Sequence, residues 1–135
     1  MFRTGLLILL MTIVAACQQT PSYPKQEPPA GFLKNSANQT AGRMLFREHC
    51  VRCHGNFQEG RGPEAAHLIP QPPSFTNPLY ASKDPAYLFW RIAKGKTVEP
   101  YLSQGSTMPA WAPYLSEKQI WELVAFIRAR AKGRI

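Results

Sequence analysis

The sequence predicts a small all-α domain of three to four short helices joined by long Pro/Gly-rich loops, and three observations point to it. Two helix starts carry clear capping chemistry, at Asp84-Pro85 and at Ser116 to Gln119. No segment alternates apolar and polar residues as a half-buried strand would. Thirteen prolines and nine glycines among 135 residues break the chain too often for a long-helix bundle. The length leaves room for one core once two non-globular ends are set aside.

Taken in order, the chain begins with Arg3 and an apolar run from Leu6 to Val14, followed by Ala15, Ala16 and Cys17. Residues 1–16 read as a signal peptide, and the run is shorter than the roughly 20 residues that cross a bilayer. Val14-Ala15-Ala16-Cys17 resembles the bacterial lipobox. That resemblance implies cleavage before Cys17, lipidation of its thiol and attachment to a membrane of the cell envelope, facing the periplasm or exterior. Each buried acyl methylene contributes about 0.8 kcal/mol, and two or three chains give lasting attachment. Residues 17–38 contain Pro21, Pro24, Pro28 and Pro29 with few apolar residues, the composition of an extended tether. At about 3.1 Å per residue it would reach roughly 60 Å.

The domain itself is expected over residues 39–135. Asn38 or Thr40 would cap its first helix, with Ala41, Gly42, Leu45 and Phe46 facing inward. Gly42 costs about 1 kcal/mol of helix propensity relative to Ala, which is expected where another backbone comes close. From Phe57 to Tyr80 five prolines predict loop. Asp84 and Pro85 supply an N-cap and a first-turn proline for a helix through Lys94, closed by Gly95. Ser116-Glu117-Lys118-Gln119 is a capping box, with Leu115 and Ile120 as its hydrophobic staple. Ile120, Leu123, Val124 and Ile127 then form one buried stripe, and Gly133 is the stop.

The formal charge is +8, from 16 basic and 8 acidic side chains. A basic balance suits nucleic acid, anionic lipid or an acidic protein partner. No nucleic-acid motif accompanies it, so nucleic acid is not an expected partner. The densest cluster, Arg128, Arg130, Lys132 and Arg134, sits where cations also complement a helix dipole.

Three cysteines are present, and with Cys17 assigned to lipid the other two stand in Cys50-Val51-Arg52-Cys53-His54. This is the attachment pattern of c-type haem. Two thiols three residues apart can add to the porphyrin vinyl groups, and the next residue brings an imidazole to the iron. Rival chemistries fit less well. A redox dithiol belongs to an α/β pattern, a structural zinc site needs a second ligand pair, and a disulfide across so small a loop stabilises little. Haem would also supply apolar bulk to a fold that buries little surface of its own.

The iron's other face has four candidates, Met44, His49, His67 and Met108, or none. Met44 and His49 lie just before the motif on the proximal side, and His67 reads as an exposed polar residue in a Pro-flanked segment. Met108, followed by Pro109, is left, although a lone Met is more often core filler.

From about residue 39 to 132 the chain resembles a small class I cytochrome c. The carriers of the resemblance are the attachment motif at the end of an N-terminal helix, a proline-bearing loop, a middle helix, the Met108-Pro109 pair and a C-terminal helix. Gly42 with Phe46 and Leu123 with Phe126 match the helix-packing pairs of that family. The resemblance implies His54 and Met108 as axial ligands, Cys50 and Cys53 as thioether links, and a proline carbonyl, Pro70 or Pro72, holding the other nitrogen of His54. Leu68, Trp90, Ile92, Trp111 and Phe126 are expected pocket lining. A saturated iron leaves no open position for substrate, which implies a mono-haem carrier of single electrons between respiratory or periplasmic protein partners, alone or as a subunit of a larger respiratory complex. Arg52 would join a weak, polar docking patch. The alternatives are a five-coordinate haem enzyme or gas sensor, in which Met108 does not bind, and a haem-free interaction lipoprotein.

Overall fold

The computed structural model describes residues 20–134; the expected signal peptide and Cys17 lie outside them. The described residues form five α-helices and no strand: α1 Ser36–His49, α2 Val51–His54, α3 Leu79–Ser82, α4 Pro85–Lys94 and α5 Glu117–Ala131. Three are long enough to carry a core, and α2 and α3 are single turns.

The first helix starts earlier than its sequence suggests. Asn35, not Asn38 or Thr40, caps α1, its side-chain oxygen accepting from the amides of Ala37 and Asn38. Asn38 turns back instead and donates to the carbonyl of Phe32, while Gln39 donates to that of Leu33. Both bonds fasten a short 3-10 turn, Phe32–Lys34, whose Phe32 and Leu33 pack on the core. Gly42 and Phe46 are buried, Ala41 and Leu45 half-buried, and Met44 exposed.

Helix α5 is the centre of the molecule. The capping box is complete: Ser116 Oγ accepts from the Gln119 amide, and the Gln119 side chain accepts from the Ser116 amide. Every residue from Ile120 to Ile127 is buried, so the single stripe expected from the sequence has become an all-round core helix. It crosses α1 in close contact. A Cβ built on Gly42 would stand 1.9 Å from the Glu122 carbonyl oxygen, which is why glycine occupies that position despite its helix cost. Phe46 and Phe126 meet there at 5.1 Å between ring centroids. Helix α4 has the predicted bounds, with Asp84 accepting from the Ala86 amide and Gly95 at φ +50° ending it. Its Phe89 packs on Trp121 of α5 at 4.5 Å.

The basic C-terminal cluster is partly structural. Arg130 is 3% exposed and donates to the carbonyls of Gly55, Asn56 and Glu59, fastening the loop after α2 to α5. Arg128 donates to the Lys83 carbonyl. Residues 57–78 are otherwise loop with one 3-10 turn at Pro63–His67, whereas Tyr80, expected as the end of that loop, lies in α3 with Leu79.

The segment before α1 departs most from expectation. It lies on the domain: Tyr23 donates to Asp84 at 2.7 Å and its ring packs against Tyr87 and Trp90, while Lys25 pairs with the same carboxylate at 2.7 Å. Proline-rich composition had indicated an extended tether; the aromatic and the cation within it find partners some sixty residues further along the chain.

Candidate haem site

Cys50 ends α1 and begins α2, so the motif occupies a tight change of direction. The His54 amide bonds to the Cys50 carbonyl at 2.9 Å, and Gly55, at φ +74°, closes the turn. Gly62 then folds back on it, its amide donating to the Cys53 carbonyl; a Cβ there would stand 2.2 Å from the Val51 carbonyl oxygen. The two thiols and the imidazole are thereby held by one short stretch of backbone.

His54 is buried at 8% exposure. Its Nδ1 lies 3.1 Å from the carbonyl of Pro73, neither Pro70 nor Pro72. Pro72 instead accepts from Arg61 at 2.8 Å, which orients the loop so that the next carbonyl reaches the ring. A carbonyl only accepts, so Nδ1 carries the proton and Nε2 keeps its lone pair for a metal. Burial lowers the pKa of His54, outweighing the Pro73 bond, with Arg130 and Arg91 adding to the lowering. The imidazole is therefore neutral, the form that binds iron. Phe75 stacks on it at 4.7 Å and 22°. Burial pushes the Cys50 thiol up to about 12, with the charge of Cys53 adding to it. A thiol so protonated lacks the low pKa of a redox dithiol.

Met108 is positioned by α4. Gly95 leaves space for the chain at 108–109 to pass: a Cβ on it would lie 2.1 Å from the Pro109 carbonyl oxygen. The Met108 carbonyl accepts from the Lys96 amide at 2.8 Å, and the amides of Trp111 and Ala112 donate to the carbonyls of Ile92 and Ala93. Three backbone hydrogen bonds thus hold the Met108 loop along the end of the helix.

Cys50, Cys53, His54 and Met108 all line one cavity of about 310 Å³. Leu68, Ile92 and Trp111 line it as expected, joined by Phe75, Tyr80 and Leu88. Trp90 and Phe126 do not; Trp90 is turned towards Tyr23 and Tyr101, and Phe126 lies between Phe46 and Phe57. The helical spacing Leu88, Arg91, Ile92 marks the cavity face of α4, a signal present in the sequence. His49 also lines the cavity, its ring 5.2 Å from that of Trp111, whereas His67 is exposed and Met44 points to solvent. Arg52 is paired with Glu64 at 2.9 Å.

Arg91 was not singled out by the sequence. One of its terminal nitrogens donates to Ser106 Oγ at 3.0 Å, and the guanidinium lies 3.7 Å from the Tyr101 ring centroid. The other, Nη1, is buried without a partner. An orphaned cationic donor on the wall of an apolar cavity calls for an anion. Tyr87 and Tyr101, joined through their hydroxyls, stand beside it. Burial lowers the pKa of Arg91 and, together with the Tyr101 bond, raises that of Tyr87. The residues present thus fit haem: two thiols, a neutral imidazole, a thioether, apolar walls and a cation suited to a propionate. A larger open groove, about 590 Å³ between residues 25–34 and 84–86, offers no thiol, imidazole or thioether.

Comparison with known proteins places the chain in a family. Residues 37–127 match the family described as cytochrome c oxidase, cbb3-type, subunit III. The cbb3-type cytochrome c oxidase subunit CcoP of Rhodobacter capsulatus is 28% identical over 112 residues, which is 78% of this chain and 33% of that protein. The chain thus spans about a third of the length of this relative. A chain of the Kuenenia stuttgartiensis reducing HAO-like protein complex shares the fold, with TM-score 0.61 at 22% identity over 84% of this chain and 52% of its own. With two thirds of its length matched and a cavity suited to the cofactor, the chain belongs to the cbb3-type cytochrome c oxidase subunit III family and is an electron-transfer cytochrome c domain that binds covalent haem c.

Proposed function

We propose that Cys50 and Cys53 hold the haem through thioether bonds, that His54 and Met108 are its axial ligands, and that the protein carries single electrons between redox partners at a bacterial membrane to which Cys17 anchors it by lipid. One observation carries the reading: four side chains, from two regions of the chain more than fifty residues apart, line one apolar cavity, and the imidazole among them has its tautomer fixed by Pro73.

Bound haem supplies one-electron chemistry between ferric and ferrous iron. The chain's own residues set the conditions for it. Pro73 holds the His54 proton on Nδ1 and keeps Nε2 available. The α4 backbone fixes the Met108 loop, and a thioether favours the reduced state. Phe75, Leu88, Ile92 and Trp111 give the cavity apolar walls, while Arg91 supplies a positive charge there. None of these groups is arranged as an acid-base pair for a substrate, which favours electron transfer over the five-coordinate enzyme or sensor.

The relative in Rhodobacter capsulatus is a subunit of a cbb3-type oxidase. By extension, this protein serves respiratory or periplasmic protein partners, as a carrier or as a subunit of a larger redox complex. The periplasmic, membrane-anchored placement rests on residues 1–17. Among the described residues no helix is long and apolar enough to cross a membrane.

The optical spectrum tests the ligand set. The wild-type ferric protein is expected to show the weak red sulfur-to-iron band, and the ferrous protein to resist carbon monoxide. Met108→Ala should abolish the band and admit carbon monoxide. A wild-type protein that binds carbon monoxide rapidly would replace this reading with the five-coordinate one.

A further inference from the structure

As an extended tether, the segment before α1 would let the domain stand roughly 60 Å from its anchor. Its docking changes that geometry. From Tyr23 onward the chain is fastened to the start of α4, through the Tyr23 and Lys25 bonds to Asp84 and the packing of the Tyr23 ring on Tyr87 and Trp90. Further along, Phe32 and Leu33 pack on the core. Only residues 18–22 separate Tyr23 from Cys17. Six residue steps span at most about 20 Å even when fully extended, a third of the reach of a free tether.

We propose that this docked strap and the start of α4 form the membrane-facing surface of the domain, held against lipid headgroups by the short link to Cys17. The inference rests on the lipid-anchor reading given above. Charge on this face suits an anionic headgroup layer. Lys25, Lys34 and Lys83 are exposed there, and Arg128 is bonded to the Lys83 carbonyl, against two carboxylates, Asp84 and Glu27. Juxtamembrane cations of this kind are drawn to anionic lipid within a Debye length of the surface. The strap therefore sets the height and the tilt of the domain, and the redox partner must meet it within about one domain diameter of the bilayer.

The test uses the mature, haem-loaded, lipidated protein in vesicles of phosphatidylcholine with one third phosphatidylglycerol. Lysine acetylation is compared with that of the same protein in detergent. Lys25, Lys34 and Lys83 should lose several-fold in reactivity on the vesicles, while the other exposed lysines keep theirs. Neutron reflectometry on a supported bilayer of the same composition should find the protein layer in contact with the headgroups. A twelve-residue Gly-Ser insertion between Ser22 and Tyr23, which leaves every docking contact in place, should raise the layer by roughly 20 Å and restore the acetylation. Equal acetylation in vesicles and detergent, or a hydrated gap of tens of ångströms under the wild-type protein, would overturn the placement. Mass spectrometry of the N-terminal peptide keeps the two readings apart: an unmodified Cys17 overturns the anchor and the placement together, whereas a lipidated protein standing off the surface overturns the placement alone.

Discussion

Arg91 shows how a single side chain can point to the charge of a ligand. A guanidinium has five donors and no way to shed its charge at physiological pH, so a buried terminal nitrogen without a partner is a standing cost of about 1–3 kcal/mol. The cost disappears if a propionate oxygen meets it. With haem bound in the cavity the charge would also act on the iron, because a cation disfavours the additional positive charge of the ferric state. Arg91→Met is therefore expected to lower the haem potential by on the order of 50 mV, close to a tenfold change for one electron, with the axial ligand bands intact in the spectrum. An unchanged potential would mean that the guanidinium serves only Ser106 and Tyr101. Asp84 invites a second measurement at this scale. The Lys25 bond, then the Tyr23 bond, hold its carboxyl down from 3.8 to about 2. A carboxyl depressed in the folded state contributes stability above its unfolded value, and that contribution disappears as pH falls through the folded one. The strap should accordingly stay docked at pH 5 and loosen between about pH 4 and 2. Carboxyl carbon NMR should place the Asp84 midpoint near 2 in the wild-type protein and move it up towards 3.8 in Lys25→Ala.

Among the helices, the contact between α1 and α5 leaves least room for change. Gly42→Ala would gain about 1 kcal/mol of helix propensity, yet its methyl would stand 1.9 Å from the Glu122 carbonyl oxygen, a backbone atom that cannot rotate away. Separating two packed helices costs more than that gain. The variant is expected to lose roughly 1–3 kcal/mol in denaturant unfolding of the haem protein, with Phe46 and Phe126 losing their packing. This site was legible in the sequence because glycine in a helix is costly and needs a reason. The starts of α4 and α5 were legible for a related reason: Asp84-Pro85 and Ser116-Gln119 hold their own caps within four residues, with no help from the rest of the fold. The start of α1 was not, because Asn35, Ser36, Asn38 and Thr40 are all acceptable caps, and Phe32 and Leu33, by docking on the core, decide among them. The same holds for the acceptor of His54. Five prolines lie between Phe57 and Tyr80, and the Arg61 bond to Pro72 selects the carbonyl of Pro73. Local chemistry carries local structure, and choices between equal local options are made by contacts distant in sequence.

On the scale of the whole molecule one apolar core joins α1, α4 and α5, and the cavity lies along its α4 side. Helices α1 and α5 pack on one another through Phe46, Leu123 and Phe126, each at most 1% exposed. Helix α4 and the 106–112 segment, by contrast, meet the motif mainly across the cavity, where Leu88, Ile92, Met108 and Trp111 face Cys50, Cys53 and His54. Without the cofactor these side chains would line about 310 Å³ of space, and a void of that size costs up to about 7 kcal/mol at some 24 cal/mol per Å³. Water entering at the open edge reduces the figure but leaves an apolar wall wetted. Domains of this size are stable by only about 5–15 kcal/mol in total, so the penalty is comparable with the whole margin. The side chains that face the cavity should then respond most to loss of haem. In a Cys50→Ala, Cys53→Ala variant prepared free of haem, α1 and α5 are expected to retain far-ultraviolet helical signal, while the cavity face of α4 and the Met108 loop lose fixed packing. The loss would be read as collapsed near-ultraviolet dichroism, rapid amide exchange at Lys96, Trp111 and Ala112, and a broad thermal transition. A variant that unfolded as cooperatively as the haem protein, with those amides still protected, would show that the polypeptide closes the cavity by itself and that haem is held by the fold without helping to form it.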